Sequence, residues 1–458
     1  MTVTLDMLGP AHGGSTVARL DGTDGRVVFV RGALPGETGV PVELDTDPEI
    51  SRKRFLSGSV VDSAAIAGPS AHRVAPQCPA AARGAGCCDL DIIDAEGSVE
   101  LKTRVVLDQF ARIGRIDLDD AGVPVRQLSP APFTGYRTRV RLGVDESGQA
   151  GLRLRASNGI VPVTEVGCAQ WAPALADGLA ETLAEAELTP GAEVCVALGE
   201  DGLRGIVEVP AARASNPRSR SGRGRRVPKG QRRSDTRIER RVIEHQGTGE
   251  PGTVTRTVKG VSWPMPVEAF WQAHGAAAEL YSGWVRDTVT GAVTGTAATS
   301  SAPSEPAEPT VSSEPTAWDL YGGAGVFAAA LTEALPGTPV YSVDGASDAT
   351  AAGRSVLVER DVRFVTGDVA DALAELSGAD PTVVVLDPPR TGAGAPVVDA
   401  IISRAPQHIL HIGCDPATAA RDAAGFIAGG YHPESVTVVD AFGLTHHVEV
   451  LVHFTRQG

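Results

Sequence analysis

Two residues near the end of the chain have side chains suited to covalent catalysis. Cys414 lies in the stretch HIGCDPATAARD and Glu449 in THHVEVLVHF. A cysteine thiolate is a strong nucleophile, and a carboxylate can act beside it as a separate general base. Both residues follow a glycine-rich turn, DLYGGAGVF, at residues 319–327. The three features predict an enzyme that attacks its substrate with a thiolate and binds a cofactor at a strand-to-helix turn.

The elements that must position these residues alternate between strand and helix in the last third of the chain. Apolar runs such as TVVVL, HILHIG and SVTVV are separated by helical patterns. This alternation predicts an α/β fold with a mostly parallel, doubly wound, Rossmann-like sheet. Cys414 then follows the strand HILHIG and precedes the helix ATAARDAAGF, whose positive terminus is expected to lower the pKa of the thiol.

Acidic residues end successive strands of the predicted sheet. Gly323 lies in the turn, where missing side chains let a ligand approach the backbone. Asp344 ends the next strand and could accept hydrogen bonds from ribose hydroxyls. Asp368 and Asp387 end the two strands after it, at the edge where open α/β sheets bind ligands. A dinucleotide site would share this arrangement, although the glycines do not follow G-x-G-x-x-G. Asp387 could instead only cap the following turn.

Length and composition predict several domains. A chain of 458 residues exceeds the size of a single core. Residues 1–62 read as short strands of a small β-barrel, and residues 63–258 as a central α+β domain whose 99–114 segment is an amphipathic helix. Residues 259–458 form the predicted catalytic domain, with a disordered Ser/Pro-rich insertion at 292–316. Without an apolar run of 18 residues or a targeting segment, a cytoplasmic monomer with no membrane partner is expected.

The charge of the chain is unevenly distributed. The formal net charge is −15, yet residues 213–241 contain twelve Arg or Lys against Asp235 and Glu239. Such a stretch is either a solvated loop or an arm that binds phosphates. It contains no aromatic residue, so it is not expected to stack on bases.

Several motifs together resemble the S-adenosylmethionine-dependent RNA 5-methyluridine methyltransferases. The resemblance rests on residues 319–327, 344, 387–392, 411–422 and 445–451. Residues 1–62 resemble the TRAM domain, an OB-like RNA-binding module, which makes the ribosomal RNA (23S) branch the most similar. The resemblance implies that S-adenosylmethionine is the cofactor. It also implies that Cys414 is the nucleophile and Glu449 the base, and that the cofactor is contacted by Gln272, Tyr321, Asp344 and Asp387.

The chemistry of uracil supports these roles. Carbon 5 of the ring is too weak a nucleophile to take a methyl group directly, so a thiolate must first add to carbon 6. After methylation the proton on carbon 5 must leave before the thiol is eliminated, and a carboxylate can take it. Alternatively, Cys414 is a buried core cysteine and Glu449 a strand residue that faces solvent. The enzyme could also act on transfer RNA, or the chain could be a non-catalytic RNA-binding protein.

Four further cysteines could form a metal site. Cys78, Cys87 and Cys88 lie close together in the sequence, and Cys168 is distant. The resemblance implies that they hold a 4Fe-4S cluster, although the family spacing is C-x5-C-x2-C-like and here it is C-x8-C-C. A zinc site and a metal-free remnant are the alternatives.

His274, two residues after Gln272, also departs from the family, where Asn is usual at this position.

Overall fold

The computed structural model describes residues 1–20, 25–210, 239–299, 315–376 and 380–457. Residues 213–238 of the basic stretch and residues 300–314 of the predicted insertion lie outside these ranges. Among the residues that are described, no helix is long and apolar enough to span a bilayer.

The first sixty residues form a six-stranded sheet, which we call the N-terminal sheet. Its order is β1-β5-β6-β4-β3-β2, and only β4 and β6 are parallel. Apolar side chains alternate along the strands and bury one face of the sheet. The turn after β2 contains Gly13 and Gly14 at φ of +90° and +77°, a backbone conformation that favours glycine. The strands are β1 (Thr2–Leu5), β2 (Met7–Ala11), β3 (Ser15–Arg19), β4 (Val27–Arg31), β5 (Val40–Leu44) and β6 (Phe55–Val60).

The central part of the chain contains a second six-stranded sheet with the order β10-β9-β8-β11-β12-β13. All of its neighbouring strands are antiparallel. A hairpin, β14–β15, follows it. The elements in chain order are α1 (Pro79–Ala82), α2 (Ala95–Gln109) with a π-helical turn at Phe110–Gly114, β7 (Val125–Leu128), β8 (Arg139–Val144), β9 (Ala150–Arg153), β10 (Ile160–Pro162), α3 (Pro173–Ala176), α4 (Leu179–Glu185), β11 (Ala192–Leu198), β12 (Arg204–Pro210), β13 (Arg241–His245), β14 (Thr253–Val258) and β15 (Val261–Pro266).

The last part of the chain forms a mixed sheet of eight strands, which we call the C-terminal sheet. Its order is β18-β17-β16-β19-β20-β22-β21-β7, and β16 to β20 are parallel. The elements are α5 (Ala277–Thr299), β16 (Thr316–Leu320), α6 (Val326–Ala334), β17 (Val340–Asp344), α7 (Ser347–Val356), β18 (Val362–Thr366), α8 (Val369–Glu375), β19 (Pro381–Leu386), α9 (Ala395–Arg404), β20 (His408–Gly413), α10 (Pro416–Ala428), β21 (Tyr431–Val439) and β22 (Glu449–Arg456). The alternation read from the sequence therefore corresponds to a mixed α/β fold.

Three details differ from the sequence-based expectation. Helix α5 continues to Thr299 and β16 begins at Thr316, so both described ends of the predicted disordered insertion 292–316 have regular structure. The expected boundary after residue 258 falls inside the β14–β15 hairpin. Strand β7, from the expected central domain, pairs with β21 at the edge of the C-terminal sheet. Strand β7 (VRQL) is mostly exposed, and its pairing with β21 is a long-range contact that local patterns do not reveal.

Helix α2 is attached to the C-terminal sheet through a buried ion pair. The ammonium group of Lys102 donates to a carboxylate oxygen of Asp440, and both side chains are almost fully buried. The hydroxyl of Ser98 donates to the other Asp440 oxygen at 2.6 Å, and Lys102 also donates to the carbonyl of Phe442 at 3.1 Å. Burial lowers the pKa of Lys102, and the charge of Asp440 opposes that shift.

This pair predicts a large effect on stability. Replacing Lys102 by Met should lower the free energy of unfolding by about 3–5 kcal/mol, because Asp440 would stay buried without its cation. The double variant Lys102→Met/Asp440→Asn should recover part of that loss. Chemical denaturation followed by circular dichroism measures both variants. A Lys102→Met protein as stable as the wild type would contradict the prediction.

Candidate active site

The glycine-rich turn between β16 and α6 is built around a buried carboxylate. Asp319 is fully buried, and its Oδ2 accepts from the backbone N–H of Ala328 at 3.1 Å and from the hydroxyl of Ser342 at 2.9 Å. Its Oδ1 has no partner within the described residues. Burial raises the pKa of Asp319 to about 7. The turn itself has left-handed backbone at Tyr321 (φ 61°) and is open above Gly323, where an added Cβ would meet nothing within 4 Å.

The predicted acidic residues lie at the carboxyl ends of neighbouring parallel strands. Asp344 accepts from the backbone N–H of Gly323 at 2.9 Å and from that of Ala346 at 2.6 Å, so it connects β17 to the glycine-rich turn. Asp368 is exposed and caps α8 by accepting from Ala370 at 2.9 Å. Each carboxylate keeps lone pairs that could accept from a ligand.

Asp387 follows β19 at the same edge, and its carboxyl group has a raised pKa. Its side chain is largely withdrawn from water, and this burial raises the pKa to about 7. The negative charges of Asp319 and Asp344 add to the shift. Three carboxylates close together, two of them with raised pKa values, make an edge that would favour a positively charged ligand.

Strand pairing brings Cys414 and Glu449 together. Gly413 at the end of β20 pairs with Val450 in β22, and the same antiparallel register places the next residue, Cys414, opposite Glu449. Cys414 is half-buried and Glu449 is 4% exposed. Burial and the nearby charge of Asp387 raise the pKa of Glu449 far above its usual value, and its Oε2 has no hydrogen-bond partner among the described residues.

The expected lowering of the Cys414 pKa is wrong. Burial, together with the negative charges of Glu449 and Asp387, raises the pKa of the thiol to about 12. Arg390 acts in the opposite direction but does not offset them. The helix terminus predicted from the sequence is present, since α10 begins at Pro416, yet burial and, after it, the charges of the two carboxylates raise the thiol pKa.

A pocket opens beside Cys414. Its walls come from the C-terminal sheet, from α2 and from the first turn of the N-terminal sheet. Arg390 donates to Nε2 of His447 at 3.4 Å, and burial lowers the pKa of His447 to about 3, so this imidazole is neutral. His12 from the N-terminal sheet lies 3.1 Å from a carboxylate oxygen of Asp415. The lining residues include His12, Gly14, Leu101, Arg390, Cys414, His446 and His447.

Gln272 is half-buried in the connection between β15 and α5, next to the buried Trp271. No hydrogen bond joins it to Tyr321, Asp344 or Cys414 among the described residues. The neighbouring His274 stacks on Tyr136 with ring centroids 5.1 Å apart and lies 3.3 Å from the carbonyl of Pro132. His274 thus packs the connection against the central part of the chain.

Four cysteines that lie far from Cys414 in the sequence come together in the structure. The sulfur atoms of Cys78, Cys87, Cys88 and Cys168 all lie within 4.8 Å of one another. Separations of 3.8, 3.8 and 3.6 Å join Cys78 to Cys87, Cys78 to Cys168 and Cys88 to Cys168. The amide of Gln170 donates to the sulfur of Cys88 at 3.1 Å. A donor set of three buried thiols and the half-buried thiol of Cys87 fits a thiolate-bound metal centre.

Comparison with known proteins identifies the family. No family model matches the chain. An uncharacterised RNA methyltransferase of Corynebacterium efficiens is 41% identical over 459 residues, which cover 100% of this chain and 95% of the relative. The 23S rRNA (uracil(1939)-C(5))-methyltransferase RlmD of Halomonas elongata is 31% identical over 465 residues, covering 97% and 87%. The chain belongs to the RNA uracil-C5 methyltransferase family. This confirms the resemblance read from the motifs.

A solved structure shares the fold of this methyltransferase. The Pyrococcus abyssi tRNA (uracil-54, C5)-methyltransferase, solved in complex with S-adenosyl-L-homocysteine, superimposes with a TM-score of 0.62 at 17% identity. The alignment covers 99% of this chain and 100% of that chain. At this identity the likeness concerns the fold, and it extends over the whole length of the RNA methyltransferase.

Sequence reasoning missed several residues of the methyltransferase site. Asp319 is the first residue of the turn motif in the sequence, but the sequence does not show that one of its carboxylate oxygens lacks a partner among the described residues. Tyr281 of α5 is fully buried with no partner for its hydroxyl among the described residues, and the charges of Glu449 and Asp387 help raise its pKa. His12 comes from a turn four hundred residues away from Cys414, so no local signal marked it.

Arg390 should control the reactivity of Cys414 in the methyltransferase. Replacing Arg390 by Met removes the only charge named above that lowers the thiol pKa, so the thiolate fraction should fall by about threefold to tenfold at pH 8. Because pH 8 lies below the raised pKa of about 12, the rate should still rise with pH in both proteins. Iodoacetamide labelling of Cys414, read by peptide mass spectrometry, measures this rate.

The matched control is Arg404→Met, which removes a surface arginine paired with Asp380 at 3.2 Å. Labelling of Cys414 should be unchanged in this control. Equal labelling rates in Arg390→Met and wild-type protein would show that Arg390 does not act on the thiol.

Proposed function

We propose that this enzyme transfers a methyl group from S-adenosylmethionine to carbon 5 of a uridine in ribosomal RNA. The observation that carries the proposal is the placement of a thiol and a buried carboxylate opposite each other in adjacent strands, at the same sheet edge as the acidic residues. A thiol alone would suit many reactions. A thiol with a separate base suits addition to a ring followed by removal of a ring proton.

The acidic edge supports the choice of cofactor. S-adenosylmethionine would supply the methyl group on a positively charged sulfonium. In the proposal Asp344 accepts from ribose hydroxyls, the open backbone at Gly323 lets the cofactor approach, and Tyr321, Asp368 and Gln272 complete the contacts. Burial raises the pKa values of Asp387 and Asp319, and the charges of neighbouring carboxylates add to the shift. A positively charged ligand at this edge would lower both pKa values.

The thiol of Cys414 begins the reaction once its proton has been lost. Its sulfur forms a bond to carbon 6 of uracil, and the electron pair of the 5,6 double bond moves onto the oxygen of carbon 4 as an enolate. Carbon 5 of that enolate then takes the methyl group, whose bond to the sulfonium of the cofactor would break and leave a neutral thioether. A bound cation near Cys414 would lower its pKa from about 12 and favour the thiolate.

Glu449 completes the reaction as the general base. Its carboxylate takes the proton from carbon 5, the double bond forms again, and the bond between the sulfur of Cys414 and carbon 6 breaks. Glu449 must be ionised before this step, and its raised pKa then makes it the stronger base. Its Oε2, which has no hydrogen-bond partner among the described residues, would receive the proton.

Ribosomal RNA is the proposed substrate because the relative from Halomonas elongata is named for 23S rRNA. The TRAM-like assignment of residues 1–62 supports RNA binding, and the turn of that sheet lines the pocket beside Cys414. The basic residues 213–241 would add phosphate contacts. Transfer RNA is the second candidate, since the solved structure with the same fold is named for tRNA uracil-54. A uridine in either RNA must leave its stack to reach Cys414.

Methylation assays with defined variants test the proposal. With labelled S-adenosylmethionine, wild-type protein should form 5-methyluridine in unmodified 23S rRNA, and Cys414→Ala should reduce the product by at least about 10³-fold because no addition to carbon 6 can occur. Glu449→Gln should accumulate a covalent complex between the protein and methylated RNA. Nucleoside mass spectrometry and denaturing gels measure these products.

The outcomes separate the candidates. Product in transfer RNA alone would favour the second substrate. RNA binding without product, from wild-type protein that binds S-adenosylmethionine, would support the non-catalytic alternative.

We propose that the four cysteines hold a metal centre. The family resemblance implies a 4Fe-4S cluster, in which each thiolate binds a separate iron. The sulfur separations of 3.6–3.8 Å favour a second candidate, a single tetrahedral ion such as Zn²⁺. Four ligands about 2.3 Å from one ion lie about 3.8 Å apart. A cluster would require the thiolates to spread further.

Metal analysis tests this centre. Protein purified without oxygen should contain a stoichiometric metal, and Cys168→Ser should lose most of it because one of four ligands is missing. Equal iron and acid-labile sulfide would identify a cluster, and one zinc without sulfide a single ion. Cys195→Ser, at a buried cysteine outside the cluster, is the control. Wild-type protein without bound metal would contradict the proposal.

The expectation that the protein is a cytoplasmic monomer stays a prediction.

A further inference from the structure

Three separate segments of the chain meet at His446, next to the candidate nucleophile. Asp89 accepts from the backbone N–H of His446 at 3.0 Å, and its other oxygen accepts from Nδ1 of the same imidazole. Asp89 directly follows Cys88 of the cysteine cluster. A residue attached to the cysteine cluster therefore holds a residue that lines the pocket of Cys414.

The third segment is the first turn of the N-terminal sheet. A Cβ added at Gly14 would lie 2.6 Å from Oδ2 of Asp89 and 3.1 Å from the Cβ of His446. The turn thus packs directly on the Asp89–His446 contact and leaves no space for a larger residue. The same turn carries His12, which is 3.1 Å from Asp415, the neighbour of Cys414.

Further bonds hold the segment that precedes Glu449. The backbone N–H of Leu90 donates to the carbonyl of Leu444 at 3.0 Å, and the hydroxyl of Tyr136 donates to that of Gly443 at 2.9 Å. Leu444 is fully buried and has left-handed backbone, with φ of 66°. A non-glycine residue keeps this conformation only where its surroundings require it. The segment 443–446 is therefore held in one shape by residues 89, 90 and 136.

The backbone of Glu449 pairs with Val439, but its buried carboxylate depends on this segment for part of its orientation. One of its carboxylate oxygens has no hydrogen-bond partner among the described residues. Its backbone begins β22, three residues after His446, and His447 between them accepts from Arg390 at 3.4 Å. A shift at His446 would pass along three residues to the carboxylate and to the imidazole beside Cys414.

We propose that Asp89 is a positioning residue of the active site, which holds His446 and so fixes His447 and Glu449 beside Cys414. The inference rests on the proposed function, since it assigns Glu449 its role as the base. It makes the arrangement of the site depend on two regions outside the C-terminal sheet. These are the cysteine cluster, through Cys88, and the N-terminal sheet, through Gly14.

The test is the Asp89→Asn variant in the full-length protein. Its kcat for RNA methylation should fall by about tenfold or more because Glu449 is misplaced, while KM for S-adenosylmethionine stays unchanged. The control is Asp94→Asn, which alters another aspartate–histidine contact of the same region, 3.1 Å from His72, and keeps a residue able to cap α2. Asp94→Asn should keep the wild-type kcat.

A double-mutant cycle distinguishes positioning from a general loss of structure. If Asp89 acts through His446, then Asp89→Asn, His446→Asn and the double variant should have nearly the same kcat. Effects that multiply would overturn the inference. A hydrogen-exchange measurement of residues 440–449 should show faster exchange in Asp89→Asn than in Asp94→Asn. Equal exchange would also overturn it.

Two glycine variants test the contact with the N-terminal sheet. Gly13→Ala and Gly14→Ala both place alanine at positive φ, but only the methyl group at Gly14 meets Asp89 and His446. Gly14→Ala should therefore lower kcat by a larger factor than Gly13→Ala. Similar losses in both variants would show that backbone strain alone is responsible.

Failure of this inference can be separated from failure of the proposed function. RNA that contains 5-fluorouridine should form a lasting covalent complex with wild-type protein, because fluorine cannot leave as a proton does. A wild-type protein that forms no complex and no 5-methyluridine would refute the proposed function. A wild type that forms both, with an equally active Asp89→Asn variant, would refute only the role of Asp89.

Discussion

The antiparallel register between β20 and β22 is the constraint on which the site depends. Ile412 pairs with Leu451 and Gly413 with Val450, and all four residues are buried, so the sheet core fixes the pairing. The register places Cys414 and Glu449 opposite each other although 34 residues separate them in the sequence. A slip by one residue would turn Glu449 to the other face of the sheet. Apolar packing therefore determines the geometry of two polar groups.

Around this site, acidic side chains with raised pKa values outnumber the basic side chains that could balance them. Asp319, Asp387 and Glu449 all have raised pKa values, with burial as the largest cause in each. Arg390 lowers the pKa of Glu449 and of Cys414, but it is exposed and does not offset burial and the neighbouring carboxylates. Raised pKa values mean that these groups hold protons to higher pH, and they would hold fewer beside a cation. The same imbalance is a cost to stability that function maintains.

Local motifs revealed the parts of the site that lie near one another in the sequence. The turn at 319–325, the strand ends at Asp344 and Asp387, and the strand–helix boundary at Cys414 all follow from short patterns of apolar residues, glycine and proline. The pKa of Cys414 did not follow, because it depends on Glu449 and Asp387, which only the folded sheet brings close. The C-terminal part of helix α5, up to Thr299, was not predicted. Its residues are mostly small or polar, and the helix continues into them from a more apolar first half.

Contacts between distant segments were beyond the reach of pattern reasoning, and they are the ones that complete the pocket. His446 and Asp89 are 357 residues apart, Lys102 and Asp440 338, and Tyr136 and Gly443 307. No periodicity signals a hydrogen bond over such a separation.

The polar character of these long-range contacts has a physical reason. Apolar faces alone allow two sheets to pack in several ways, because the hydrophobic effect is not directional. A buried ion pair or a carboxylate bonded to a backbone N–H is satisfied in one arrangement only, and every other arrangement leaves a charge unpaired. Lys102–Asp440 and Asp89–His446 both end in the segment 440–446. These two contacts therefore fix how α2 and the cysteine region pack against the segment 440–446. A different packing there would displace Glu449.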